Sequence, residues 1–583
     1  MIATTNQLNI KFQKALIDSK YDFFKLTTTE KYIAGGAYVL DKPNLELKAQ
    51  SVAFENGKIL YAMFPKGTIS KYEFIKKIDE EHLIINQVYC DDIKDYVLFR
   101  LFLYSLNNFE HECLTFNNIT GKLYICSPKW MKKDKSSFIA LHIDVDNELY
   151  LSAEATTFAQ YCKFSETKKL KEYAKYELAN KNHTLKRVLA DSKGQNVYIK
   201  KGIYNKKADI PFFLLSSKDI AKSKVYYIYL VLDLLKQRFG EYLDFSLKTI
   251  NVSKSIGRTK DSSFMTYALE EFLKKPLVFI NKVLGAEYTE IFEDIVSSIN
   301  EFSSADGKIG GTVECLANNI VLIHNKDYYE QHKYSDAHKT LPRNAVIQCI
   351  TVEDTAESII DDKKAIIETI IKEIVIKNDI LFTGRFTIDD WTSFNFSTDY
   401  LFGKEKDGTQ YFIVVHPDGT FELKSKVDDF SSFGDKVLDK CSAYLSSNKG
   451  KERTIVSDGN GNINIITRTN RYIIPPREIF DLETISRSAE SREKYLAGVV
   501  DINLYDSADG KLYYNVGIQG YGMNTKIIHA PLLYQVDIIS GTNIMDNLLA
   551  TMSVSFVKYK SFTVLPYPLK YLNEFILMNE SSK

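Results

Sequence analysis

NIVLIHNKDYYEQHKYSDAHKTLPRNAVIQCIT, from Asn319 to Thr351, changes its period twice. Asn319 to His324 is a short apolar run rich in branched residues, which suits a buried strand. Tyr328 to Lys339 is polar with helical spacing. Leu341-Pro342-Arg343-Asn344 is a turn, and Ala345 to Thr351 is a second strand. Asp361 to Lys377 follows as an amphipathic helix. Strand, helix, strand, helix in this order predicts a parallel sheet flanked by helices.

The same stretch gathers phosphate-binding chemistry. Tyr334 and His338 are four apart and are expected on one helix face, with Lys339 beside them. Gln348 falls on the next strand, and Lys372 and Lys377 fall in the following helix. A tyrosine ring can stack on a base, a lysine neutralises a phosphate, and a glutamine amide donates to a phosphate oxygen. Helix N-terminal amides add further donors. Ordinary surface or half-buried positions would explain the same residues without any ligand.

Working outward, residues 1–165 read as a mixed, strand-rich region. Lys122–Cys126 and Ser137–Val145 are its clearest strands, and a turn at Asp146-Asn147 leads into another at Glu148–Ala153. His142, Asp144 and Asp146 alternate there and would share one face, as metal ligands or as a plain polar surface. Residues 166–309 read as a basic, helical linker region. Helices are predicted over 166–190, Ala221–Phe239 (with Gly240 at the C-cap), Ser263–Lys274 and Glu287–Phe302. A loop at Ser303–Gly311 closes it. From about 395 the hairpin Gln410–Val415, His416-Pro-Asp-Gly419, Thr420–Lys424 is followed by a helix, Phe433–Ser446, and a strand, Arg453–Val456. Strands, helix, then strand suit a ribonuclease-H-like layout.

At 583 residues the chain is too long for one ordinary core, and 45% hydrophobic with 26% charged residues is globular composition. The net charge of zero argues against a uniformly basic nucleic-acid binder. Charge is segregated, however: Lys163 to Lys224 holds sixteen Lys or Arg against six Asp or Glu, while acid collects at Glu287, Glu290, Glu293, Asp294 and again over 353–362. Such a pattern builds either one basic channel or a solvated basic linker. Seven cysteines without a CxxC pair suggest neither a disulfide framework nor a zinc site. The longest apolar stretch, Val225–Leu235, is interrupted by Asp233 and is too short to span a bilayer, so no membrane and a cytoplasmic location are expected.

The segment around Tyr334, Lys339, Gln348 and Lys372 resembles the MID domain of prokaryotic Argonaute proteins, where a Tyr/Lys/Gln/Lys set holds the guide's 5′ phosphate. His338 competes with Lys339 for the second role, and Lys377 with Lys372 for the last. Phe562-Thr-Val-Leu-Pro-Tyr-Pro-Leu-Lys-Tyr571 is similar to the end of a PIWI domain. The resemblance covers roughly 310–583. It implies a multidomain α/β and α+β chain, with a Rossmann-like MID domain at 310–394 and a ribonuclease-H-like PIWI domain at 395–583. It also implies binding of a short guide, DNA favoured with RNA left open, pairing with complementary target DNA, and a magnesium ion as a candidate at the guide phosphate.

An active PIWI domain needs about four clustered carboxylates, or carboxylates with His, to hold two divalent ions. Only Asp458, in Ile455-Val-Ser-Asp-Gly459, resembles one; Asp418 reads as a turn residue and His529 has no carboxylate neighbour. A degenerate, non-cutting member is therefore expected. The resemblance then runs to the catalytically inactive Argonaute-like component of DdmDE plasmid-defence systems, in which a separate helicase-nuclease is the effector. An active guide-directed endonuclease and a protein-interaction component without nucleic acid are the alternatives.

Overall fold

The computed structural model describes residues 2–580 outside 30–42, 44–46, 162–173, 202–209, 215–222, 257–262, 354–362, 426–434, 448–452, 478–501, 517–525 and 554–563, with gaps of one to four residues elsewhere. It is a mixed α/β chain with several sheets. The amino-terminal part comprises β1 (Ile2–Phe12), α1 (Lys14–Lys20), β2 (Tyr21–Thr28), β3 (Ser51–Asn56), β4 (Ile59–Pro65), α2 (Lys71–Ile78), β5 (Leu83–Val88) and α3 (Asp95–Tyr104). Strands β3-β4-β2-β5 form an antiparallel sheet around stacked Phe24 and Phe74.

Next come β6 (Glu110–His111), β7 (Leu114–Ile119), β8 (Lys122–Met131), β9 (Ser137–Val145), β10 (Leu151–Gln160), β11 (Lys175–Leu178), β12 (Leu185–Val188) and β13 (Val197–Lys201), in one eight-stranded sheet. The expected hairpin is β9–β10, with Val145 opposite Leu151. Its turn is longer than two residues because Asp146 Oδ1 accepts from the backbone N–H of both Glu148 and Tyr150. The helix expected over 166–190 is instead, where described, the hairpin β11–β12. Tyr176, Leu178, Leu185 and Arg187 are buried while Glu177 and Lys186 are exposed, a period of two that sheet packing selects over helical charge pairing. Then follow β14 (Phe213–Leu214), α4 (Lys224–Phe239) and β15 (Leu243–Ile256). Ser223 caps α4 by accepting from the Tyr226 N–H, and Val225, Ile228, Val231 and Leu235 face the core, each contributing roughly 1.5–3 kcal/mol on burial.

The parallel unit consists of α5 (Ser263–Leu273), β16 (Leu277–Asn281), α6 (Glu287–Ser303), β17 (Lys308–Gly310), β18 (Asn318–Ile323), α7 (Lys326–His332), β19 (Val346–Thr351) and α8 (Lys363–Asn378). The order is β17-β16-β18-β19 and every pairing is parallel. The sheet therefore reaches back to residue 277, ahead of the boundary expected at 310, and β17 lies in the stretch read as a loop. Ile367, Ile370, Ile371, Ile374 and Val375 of α8 recur every three or four residues and are buried.

The remainder is β20 (Tyr400–Lys406), β21 (Thr409–Val415), β22 (Phe421–Lys424), α9 (Asp435–Ser446), β23 (Arg453–Asp458), β24 (Ile463–Ile474), β25 (Ile502–Asp506), β26 (Leu512–Asn515), β27 (Lys526–Ile527), β28 (Leu532–Ser540), α10 (Met545–Leu548) and α11 (Pro568–Glu580). Ten strands form one sheet in the order β1-β15-β25-β26-β28-β24-β23-β20-β21-β22. Thr4 and Thr5 of β1 also pair with Ile474 and Ile473 of β24, so six strands close into a ring. Asn6 pins the closure: its amide donates to Leu151 and Asn470 carbonyls and its oxygen accepts from the Tyr472 N–H. The expected order of strands, helix, strand is present. All described pairings in this sheet are antiparallel, however, including β20 with β23. A helical crossover joining parallel strands, on which a ribonuclease-H-like layout rests, is thus not what α9 makes. Nor do residues 1–165 stand apart, since β1 belongs to the carboxy-terminal sheet.

Candidate functional site: a polar pocket beside the parallel sheet

Gln348 lies in β19 and Lys377 in the last turn of α8, so the strand and the helix that follows it bring both to one place. Lys377 Nζ donates to Gln348 Oε1 (2.6 Å) and to the Ile347 carbonyl (2.8 Å). Gln348 Nε2 donates to Glu373 Oε2 (2.9 Å). From α11, Lys570 Nζ bridges Glu574 (2.6 Å) and Glu373 (3.4 Å). Burial works against the Lys570 proton, but Glu574 and Glu373 more than offset it and hold the amine above the usual lysine value. Gln348, Lys377, Glu373 and Glu574 border a cavity of about 250 Å³ whose other walls include His338, Arg343 and the α11 residues Leu577 and Met578, with Lys570 behind the two glutamates. His338 is held by Asp336, whose Oδ1 lies 2.9 Å from its Nδ1. Burial pushes the Cys349 thiol, also on the wall, up to about 11, so it stays protonated near neutral pH.

Of the residues read from sequence, His338, Gln348 and Lys377 border this pocket. Tyr334, Lys339 and Lys372 are not among its lining residues. The shared helix face of Tyr334 and His338 does not form. Helix α7 stops at His332, Lys333 takes a left-handed φ of 55°, and Asp336 caps a separate 3-10 turn at Ala337–Thr340. Tyr334 is instead the exposed end of a column of rings: His324 and Tyr328 stack at 3.5 Å, Tyr328 and His332 at 4.1 Å, and His332 and Tyr334 at 6.0 Å. Lys372 is buried, which lowers its pKa against the pull of Glu368. Five residues separate it from Lys377, about 140° around a helix, so the two cannot face one pocket. Sequence reading missed Arg343, Glu373, Lys570 and Glu574. The i,i+4 spacings Glu373/Lys377 and Lys570/Glu574 carry the only local signal for them.

Asp379, just beyond α8, ties the end of that helix to α11. It accepts from the Thr387 backbone N–H (3.0 Å), from the hydroxyls of Thr387 and Thr383, and from Tyr571 Oη of α11 (2.8 Å). Burial nevertheless pushes its carboxyl up to about 6.

The candidate carboxylates lie elsewhere. Asp458 ends β23, and its oxygens are filled by its own turn: Oδ1 accepts from the Asn460 and Asn462 N–H groups, Oδ2 from the Asn462 amide (2.8 Å). Asp418 accepts from the Thr420 hydroxyl and N–H, which hold it below the usual carboxylate range. His529 is exposed. His142, Asp144 and Asp146 do not form one exposed face. His142 is buried, which drops its pKa to about 4; Asp144 is held by Arg100 (2.8 and 3.2 Å) and Tyr104 (2.6 Å); Asp146 closes the β9–β10 turn. Among the described residues no group of three or more His, Cys, Asp or Glu is placed to hold a metal ion. A magnesium ion does not fit the pocket as built, because the Lys570 ammonium stands between Glu373 and Glu574 where a cation would bridge them.

No family model matches the chain, and no curated protein matches its sequence. Among the described residues no helix is long and apolar enough to cross a membrane.

Proposed function

We propose that the chain binds a short guide nucleic acid by its 5′ phosphate in the pocket formed by Gln348, Lys377, His338 and Arg343, and uses the paired guide to recognise invading DNA such as plasmids. The observation that carries this reading is the convergence of an amide and an ammonium on one small cavity at the edge of a parallel sheet. A terminal phosphate supplies the acceptor that both groups suit, and it would take over Lys377 from Gln348. Tyr334, at the open end of its ring column, offers a face for the first base. Sequence specificity comes from base pairing with the guide, DNA in preference to RNA.

The protein recognises and does not cut. Asp458 spends its lone pairs on its own turn, and cleavage falls to a separate effector helicase-nuclease recruited to the target. The test is to extract nucleic acid that co-purifies with the protein, sequence it, and determine its 5′ end. Short strands with a 5′ phosphate are expected. Protein free of nucleic acid that also fails to take up 5′-phosphorylated strands in vitro overturns the proposal, and cleavage of a matched strand with Mg²⁺ or Mn²⁺ overturns its non-cutting half.

A further inference from the structure

A second, larger cavity of about 970 Å³ lies where the six-strand ring closes. Its walls come from β1, β23, β24, β26 and β28 and from the β9–β10 turn. Cross-strand register sets a row of side chains along it: Arg453 opposite Thr467, Thr467 opposite Gln535, and Gln535 opposite Tyr513. Neighbouring strands are about 4.8 Å apart, so the row runs roughly 14 Å.

Two donors in this row have no acceptor. Arg453 Nε and Thr467 Oγ1 are buried atoms without a hydrogen-bond partner, and Thr467 is only 9% exposed. Behind Gln7 and Tyr513 lies Arg471, 1% exposed. Its Nη2 donates to Gln7 Oε1 (2.8 Å) and its guanidinium stands 4.6 Å over the Tyr513 ring, while Nε and Nη1 are unpartnered. No described carboxylate hydrogen-bonds to Arg453 or Arg471; of the wall's described carboxylates, Asp509 lies within electrostatic reach of Arg471. Two of the acids on the wall are occupied: Asp146 by its turn and by Asn470, Asp537 by Gln535 (2.7 Å). Glu148 and Asp509 are exposed at the rim, as are Arg468 and Lys511. A buried guanidinium without an anion is costly, and a cavity of this size beside it has room for one.

We infer that this cavity is a second anion site, separate from the pocket beside the parallel sheet, and that it takes the phosphate ester of a nucleotide. Arg453 and Thr467 donate to the phosphate oxygens, and the buried Arg471 cation supports them through Tyr513 and Gln7. The phosphate belongs either to a free mononucleotide or to a residue within a strand.

Titration calorimetry on the full chain tests this with two probes, ADP and a twelve-residue single strand with a 5′ hydroxyl. Saturable ADP binding, weakened roughly tenfold by Arg453→Gln and by Thr467→Val and unchanged by Lys377→Met, is the expected result. The same dependence for the strand alone, with no ADP binding, also supports the site and assigns its phosphate to a strand. Thr467→Val keeps shape and removes only the hydroxyl, so it serves where Arg453→Gln fails to fold. Absence of binding to both probes, or affinities that neither variant changes in proteins of unaltered melting temperature, overturns the inference.

Discussion

The pocket beside α8 and the cavity at the ring closure follow opposite electrostatic plans. In the pocket the charges on β19, α8 and α11 are already answered: Lys377 by Gln348, and both Glu373 and Glu574 by Lys570, with Gln348 also bonded to Glu373. In the cavity two arginines and a threonine keep donors unanswered. A self-satisfied pocket is stable when empty and gains from a ligand only what exceeds the bonds it gives up. An unsatisfied cavity destabilises the empty protein and gains from almost any anion that fits. Under the two proposals, selectivity for a terminal phosphate would belong to the first, and strong dependence on any bound phosphate ester to the second.

The largest effect is expected where the pocket's two ligand-facing groups are removed together. Gln348→Leu with Lys377→Met should weaken binding of a 5′-phosphorylated strand roughly a hundredfold, from the loss of two charge-assisted bonds. Fluorescence anisotropy with 5′-phosphorylated and 5′-hydroxyl strands checks it, the hydroxyl strand changing little. Lys339→Ala should change either affinity by less than about threefold, as expected of an exposed lysine outside the wall. Equal losses for the two strands would break the contrast between pocket and cavity.

Next is the tie between α8 and α11. Asp379 holds its proton more tightly in the folded protein, near 6, than in the unfolded chain, near roughly 3.9. The native state thus has its full benefit below about pH 4 and loses it as pH rises through 6. Asp379→Asn, which stays neutral, should gain stability over the natural protein across that window, on the order of 2 kcal/mol. Melting curves of both proteins at pH 4 to 8 measure the difference; a constant offset would mean that the carboxyl does not titrate there.

Asp458→Ala should cost about 1–2 kcal/mol by leaving the turn amides unanswered, and should leave guide and target binding intact. Denaturant unfolding followed on the β23–β24 region reads the first, and anisotropy the second. The smallest change is expected from Lys372→Met. Replacing a buried amine of lowered pKa by an apolar chain of similar length should leave stability within about 1 kcal/mol, or raise it, with 5′-phosphate preference unaltered. A loss of that preference would return Lys372 to the site.

What the sequence made legible was local. Val321 sits in an unbroken branched run, Ile350 in a strand interrupted by Gln348 and Cys349, and the isoleucines of α8 repeat at helical spacing, so the strands and the helix were readable. Period alone failed where two explanations shared it. Lys and Glu across 175–188 satisfy helical pairs as well as strand alternation, and only the neighbouring sheet decides. Tyr334 and His338 are four apart, yet one left-handed residue, Lys333, separates them. Half of the pocket was legible because Gln348 and Lys377 lie within thirty residues of each other. The other half was not, because Lys570 and Glu574 arrive from a helix about two hundred residues away. The ring closure and the Arg453–Thr467–Gln535–Tyr513 row depend on register between distant strands, which no local pattern encodes.

Closure of the ring by Thr4 and Thr5 against Ile474 and Ile473 also sets a timetable for biosynthesis. At roughly 5–20 residues per second, β1 leaves the ribosome some tens of seconds before its last partner strand is translated. During that interval it is an open edge able to pair with the wrong neighbour. Chaperone cover of the nascent β1 segment, or slow maturation after release, is the natural corollary of a sheet in which so early a strand is the final fastening.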